Sequence, residues 1–539
     1  MNPPCTALSR RWLLAAMAAV VLAIALTRGL SLSYNMNIHP DENKFFDAST
    51  SLLESWLYGT EYVEEKPYPE GAYLFHLPFQ AIRMAVTAVT GQEQSLRLWG
   101  RIASVFYFTL ATVLGMDLVA GFLGKSKLAV VLYGTSMCFS LFFLEQSRYG
   151  VGDMISLFLL MLILQLLAKW CSRQKGSTLL WTCFWCGVLG AVKYPQLYFL
   201  VLPVFTWYFT TAGGWKEKGK RLLMMLLACF AGFLLFSPKA IFDWAYFYRV
   251  IRREMGAYVT GSVGGGAHNT LTMLLSYHLL YAGFPLAPVF LAAGMAGALK
   301  DKPLARVRQY RDQGSREAFL FRLVLPLTIL GFFAYNLFVT VLAMRTLTPY
   351  FGLCALYVPG LVASFAGRSR FRRLCCGLLT AVLIGRGICM TALLSRDVYH
   401  TEFAAAAQQV LAEQDGRGRV ITFRYSYIPH KEFLQDGEVI KLDIKDFQEY
   451  NGGSYALQPG DVVIVGSLEY SSALPYPLPT ADARSNANYD AWKAFQAENE
   501  GYLVAVATPS WPYYLLGARV KGGSFANFTY PCSYLYYVP

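Results

Sequence analysis

The 539-residue chain is 55% hydrophobic and 15% charged, with a mean hydropathy of +0.36, which excludes an ordinary soluble enzyme and indicates a polytopic α-helical membrane protein. The net charge of +13 would suit a nucleic-acid partner, but the basic residues lie in short clusters between apolar segments, as membrane orientation demands, so no nucleic acid is expected.

The first apolar run, 12–30, follows Arg10 and Arg11. It resembles a signal peptide, but without a clear small-residue cleavage site it is expected to stay as the first transmembrane helix. Further spans are predicted near 98–122, 128–145, 154–170, 178–192, 195–212, 221–237, 271–298, 323–343, 350–367 and 374–394, about eleven in all. Most cysteines lie in these segments. Cys183 and Cys186 have C-x-x-C spacing, but their apolar setting favours packed small hydrophobes over a metal or redox pair.

Threaded from an inner N-terminus, the clusters Arg10/Arg11, Lys125/Lys127, Lys169/Arg173/Lys175, Lys216/Lys218/Lys220/Arg221, Lys300 to Arg322 and Arg368 to Arg373 all fall inside. The outer side receives 31–97, the Arg148–Asp153 turn, Lys193, 238–270, Arg345 and everything after about 395. In loop 31–97, Phe45 to Tyr58 and Tyr73 to Val89 read as helices lying in the interface. Loop 238–270 opens with an aromatic and basic helix and ends in a glycine run before His268. Residues 395–539 change composition. Helical runs at Thr401–Glu413 and Tyr489–Glu498 and strands at Arg419–Tyr425, Asp461–Gly466 and Tyr502–Ala507 predict a small α/β extracytoplasmic domain. Asn451-Gly452-Gly453 and Pro475 to Pro479 read as loops, and Asn527-Phe528-Thr529 fits a glycosylation acceptor.

Charged residues therefore gather on the outer side. Ile38-His39-Pro40-Asp41-Glu42 opens the first outer loop, with Lys66-Pro67-Tyr68-Pro69-Glu70 further along. Adjacent carboxylates beside a membrane segment are costly, which points to function. The plainer reading is a helix start, because carboxylates cap free N–H groups. For Arg148, Lys193 and Arg345 the plainer reading is snorkelling to the headgroups. Residues 1–394 form the predicted transmembrane unit.

This pattern resembles the C-type glycosyltransferase superfamily, in its protein O-mannosyltransferase and lipid A aminoarabinose transferase branch, over roughly residues 10 to 350. Asp41-Glu42 matches the Asp-Glu pair of the family's first outer loop. Arg148 and Asp153 match the arginine and aspartate flanking the start of the family's fourth helix. Lys66 to Pro69 matches a Lys-Pro-Pro-like run, with tyrosine for the second proline. Arg345 to Pro349 matches an Arg-Tyr-x-x-Pro element, with threonine for tyrosine.

The resemblance implies an integral membrane hexosyl- or pentosyltransferase of a prokaryotic plasma membrane. It would move a sugar from a polyprenyl-phosphate donor to a glycan, lipid or protein hydroxyl on the outer side, with inversion. Asp41 would be the base, beside Glu42; Lys66, Arg148, Lys193 and Arg345 would bind the donor phosphate; Asp153 and His268 would orient the acceptor. The resemblance fixes no cofactor. A divalent ion is a candidate, since His39, Asp41, Glu42 and Asp153 are all potential ligands, but their spacing selects no metal. The competing class is a lipid or glycolipid transporter or flippase, whose mark would be charges at mid-membrane depth in paired halves.

Overall fold

The computed structural model describes residues 7–30, 42–60, 70–123, 126–260, 278, 289, 291–293, 295–296, 316–337, 344–366, 369–397, 401–414, 419–422, 439–441, 457–466, 490, 493–507 and 533–539. His39, Asp41, Lys66, His268, Cys532, the span 271–298 apart from a few positions, the inner run 300–315, both predicted loops and Asn527 lie outside these residues. So does the side chain of Glu42.

Helices form over the long apolar stretches and over several shorter, mixed ones between and after them. They are α1 (Ala7–Leu30), α2 (Glu42–Tyr58), α3 (Glu70–Thr90), α4 (Leu96–Leu118), α5 (Lys127–Phe139), α6 (Leu141–Gln146), α7 (Asp153–Arg173), α8 (Gly176–Val192), α9 (Val201–Thr210), α10 (Trp215–Phe236), α11 (Lys239–Phe242) and α12 (Trp244–Thr260). After them come α13 (Arg316–Leu337), α14 (Thr348–Ala366), α15 (Arg370–Asp397) and α16 (Thr401–Gln414). Among the described residues, Leu96–Leu123, Asp153–Arg173, Trp215–Phe236 and Arg316–Leu337 are long and apolar enough to cross a membrane, and Lys127–Phe139 and Gly176–Val192 are shorter apolar helices.

Two predicted spans differ in detail. The span 128–145 breaks at Ser140, which is extended between α5 and α6 and donates its N–H to the Ser136 carbonyl. The span 195–212 begins as a 3-10 turn, Tyr194–Leu200, with Pro195 at its start, where a missing N–H costs nothing.

The helices pack as a bundle with α7 at its centre, nearly all of it buried. By contrast α10 leaves Leu223, Leu227, Phe230 and Leu235 exposed, an apolar outer face. Its other face lies backbone to backbone on α8. A Cβ at Gly187 would stand 1.8 Å from the Cys229 carbonyl oxygen, and one at Gly232 would stand 2.1 Å from that of Phe184. Only glycine allows this approach, the usual device for close packing of apolar helices.

The C-terminal region holds a five-stranded mixed sheet, β1 (Val420–Thr422), β2 (Val439–Lys441), β3 (Val462–Gly466), β4 (Leu503–Ala507) and β5 (Ser533–Tyr537), in the order β2-β1-β3-β5-β4. β1 pairs in parallel with β2 and β3, and β5 runs antiparallel between β3 and β4. Asp461, just before β3, accepts from Arg419 Nε at 3.0 Å and Nη2 at 2.5 Å and from the Gln458 backbone N–H at 2.8 Å. Burial pushes this carboxyl up, but the Arg419 bonds and the backbone donors outweigh it and hold the pKa below the usual range. β2 and β5 were not expected. β2 is too short to show a period, and β5 is an aromatic-rich run whose alternation is weak.

Candidate functional site

The turn before α7 and the end of α8 supply the first two charged groups. Asp153 opens α7, where a carboxylate suits the positive end of the helix, and Lys193 caps α8, where a cation suits the negative end. They meet: Lys193 Nζ donates to Asp153 Oδ1 at 2.5 Å, with side-chain exposures of 18% and 5%. The structure thus joins the residue expected to bind donor phosphate to the one expected to orient the acceptor.

Small residues bring two more helices to this point. A Cβ at Gly152 would lie 3.3 Å from the Ala72 Cβ, 3.6 Å from the Val192 Cγ1 and 3.7 Å from the Phe45 Cε1. A Cβ at Gly71 would lie 2.8 Å from the Ala191 carbonyl carbon, so α3 can start here only with glycine. The starts of α2, α3 and α7 and the end of α8 therefore share one end of the bundle. Phe45 lies four positions after Asp41, and Glu70 four positions after Lys66.

Arg148 is buried in the turn between α6 and α7. That turn is tied to α4 by the Ser104 hydroxyl, which donates to the Tyr149 carbonyl at 2.5 Å. It is tied to α2 by Phe46, whose ring tip is 2.1 Å from where a Cβ of Gly150 would stand. Arg345 precedes α14, and its carbonyl accepts the Thr348 hydroxyl at 2.7 Å. A Cβ at Gly352 would stand 2.3 Å from Leu157 Cδ1. Leu157 is one turn inside α7 and Gly352 one turn inside α14, so both helices start at the same end. Near that start, His278 Nε2 and the Tyr350 hydroxyl are 2.8 Å apart among Phe333 and Phe351.

Two residues of this end were not singled out from sequence. Glu70 Oε2 accepts the Lys239 backbone N–H at 2.9 Å, linking the start of α3 to the chain after α10. Burial raises its pKa, against the opposing pull of that N–H and of the Ser237 hydroxyl. Its signal was present, since a carboxylate directly after Pro69 is a helix-start pattern. His76 is fully buried, with its ring 5.9 Å from that of Phe45 and 5.7 Å from that of Phe46. Neither ring nitrogen has a hydrogen-bond partner among the described residues. Burial lowers its pKa to about 4, so it is neutral at physiological pH. No sequence pattern marks it.

The opposite end is built differently. Arg10 Nη2 donates to Asp117 Oδ1 at 2.5 Å, and the Gln165 amide also donates to that carboxylate. The Ser172 hydroxyl donates to Glu317, and the Arg316 guanidinium stands 5.6 Å from the centre of the Trp170 ring. Among the described residues no three His, Cys, Asp or Glu side chains group as metal ligands. Asp153 is engaged with Lys193, and His39 and Asp41 lie outside the described residues.

No family model matches the sequence, and no curated protein matches it. Compared by structure, the chain is similar to ArnT from Cupriavidus metallidurans bound to undecaprenyl phosphate, at 12% identity and a TM-score of 0.46, over 96% of this chain and 97% of that one. The apo form of that protein gives the same identity and score over 97% and 98%. An oligosaccharyltransferase from Archaeoglobus fulgidus, tethered to an acceptor peptide, is similar at 13% identity and a TM-score of 0.40, over 76% of this chain and 62% of that one.

Proposed function

We propose that this chain is an integral membrane glycosyltransferase that moves a sugar from a polyprenyl-phosphate donor to an acceptor hydroxyl at the outer face. The observation that carries the reading is the meeting of the starts of α2, α3 and α7 and the end of α8 around Asp153 and Lys193, with the turn of Arg148 and the start of α14 at the same end. These are the elements that carry or adjoin Asp41, Glu42, Lys66 and Arg345.

In this scheme the acceptor oxygen attacks the anomeric carbon. Its proton passes to the Asp41 carboxylate, and the bond from that carbon to the lipid phosphate breaks. Attack opposite the leaving group inverts the centre. Lys66 and Arg345, joined by Arg148, stabilise the charge left on the phosphate. Lys193 serves that charge indirectly, through its hold on Asp153. Glu42 and His268 orient the acceptor. Residues 395–539 form an extracytoplasmic domain, and the enzyme sits in a prokaryotic plasma membrane. The transporter reading calls for charges at mid-depth, whereas Asp153 and Lys193 stand at helix ends.

The test is Asp41→Asn in purified full-length protein given a polyprenyl-phosphate sugar. Loss of a general base lowers turnover by about two to four orders of magnitude. Asparagine caps a helix as well as aspartate does, so a purely structural Asp41 leaves turnover within about threefold of wild type, an outcome that rejects the role. Thermal stability in detergent stays near wild type in either case.

A further inference from the structure

The surface around α12 is unlike the rest of the bundle. Phe247 and Val250 are buried. The Phe247 ring lies 5.6 Å from Tyr194 and 5.9 Å from Phe233, so α12 rests on the chain just past α8 and on the last turn of α10. Its other face is open. Trp244, Tyr248, Arg249 and Arg252 are exposed, as are Ile241 and Phe242 just before it. Helical spacing sets Trp244, Tyr248 and Arg252 in one row, with Arg249 beside it. Neither arginine has an ion-pair partner among the described residues. Asp243, just before the helix, accepts the Tyr246 backbone N–H at 3.0 Å and so caps it, and the side chain of Glu254, further along the helix, lies outside the described residues. Lys239 Nζ lies 5.5 Å from the centre of the Tyr246 ring, adding a further positive group.

We propose that this face binds the phosphate headgroups of anionic bilayer phospholipids. Two observations choose that occupant over a protein. The face sits where α10 ends, and α10 is a helix apolar and long enough to cross a membrane, with an exposed apolar side; its end marks the bilayer edge. The face also mixes large aromatics, which settle at the headgroup level, with arginines that make no ion pair among the described residues and whose fork matches a phosphate. The proposal rests on the membrane placement and not on transfer chemistry.

The experiment is hydrogen exchange of residues 244–252 in full-length protein, reconstituted in nanodiscs of phosphatidylcholine alone or mixed with phosphatidylglycerol. The wild type exchanges more slowly in the mixed bilayer. Each arginine near an anionic surface is worth a factor of about five, and Arg249→Gln/Arg252→Gln removes that dependence while exchange in 215–236 stays unchanged. Equal exchange in both bilayers overturns the proposal. So does a phosphatidylglycerol effect that survives in the double variant, as does protection that appears only when undecaprenyl phosphate or a protein partner is added. None of these readings uses turnover, so a failed transferase assignment and a failed lipid assignment remain distinguishable.

Discussion

Among the described residues the bundle carries one ion pair at each end, and both are 2.5 Å long. At one end Asp153 and Lys193 expose 5% and 18% of their side chains; at the other Arg10 and Asp117 expose 31% and 30%. Equal distance therefore hides unequal consequence. An exposed pair gains little over hydration, whereas a charge removed from a buried pair strands its partner. The first pair joins helix ends around the candidate site. The second ties the start of α1 to α4, where a positive cluster was expected for orientation alone.

The contrast is sharpest at Lys193. Lys193→Met leaves Asp153 buried without its cation and should cost about 3 kcal/mol, read as a lower midpoint in detergent unfolding. Adding Asp153→Leu should restore most of that stability while activity stays lost. Recovery of both would make the pair a structural clamp. Next in size is Gly232→Ala, whose methyl would meet the Phe184 carbonyl; overpacking of this kind costs about 2 kcal/mol. An unchanged midpoint would mean that α8 and α10 are free to separate.

Glu70 gives a test by pH. Its folded pKa lies above the ordinary 4.5, so the native state holds the proton more tightly than the unfolded chain does. That contribution is complete below the unfolded value and is lost as pH rises through the raised one. Stability should therefore decline over that acidic window, and Glu70→Gln should flatten the decline. Identical pH profiles for the two proteins would rule out burial at this joint. The smallest effect is expected at the exposed end, where Asp117→Asn should cost under about 1 kcal/mol and weaken further in salt. A cost equal to that at Lys193 would erase the contrast between the ends.

Much of this was legible before the coordinates. Apolar length placed α4, α7, α8 and α10, and the positions of Lys193 and Asp153 at the edges of apolar runs marked them. Their pairing was not legible, because residues forty positions apart meet only through the packing of α7 against α8. His76 was hidden for a related reason. A histidine among Phe45, Phe46 and Tyr73 becomes notable only once two helices close over it. The strands β2 and β5 failed on length and period, since tertiary pairing rather than local pattern makes them strands.

The contact between α8 and α10 has a mechanical consequence. Two helices whose backbones touch at Gly187 and Gly232 have no layer of side chains between them to slide or re-pack. α8 ends at Lys193, and α10 leads to the Lys239 amide that Glu70 holds. These two helix ends thus form one stiff jaw. Any opening of the bundle at this end would have to swing the jaw whole or move the elements facing it, and spin labels placed at its two tips would keep a fixed separation as it opens.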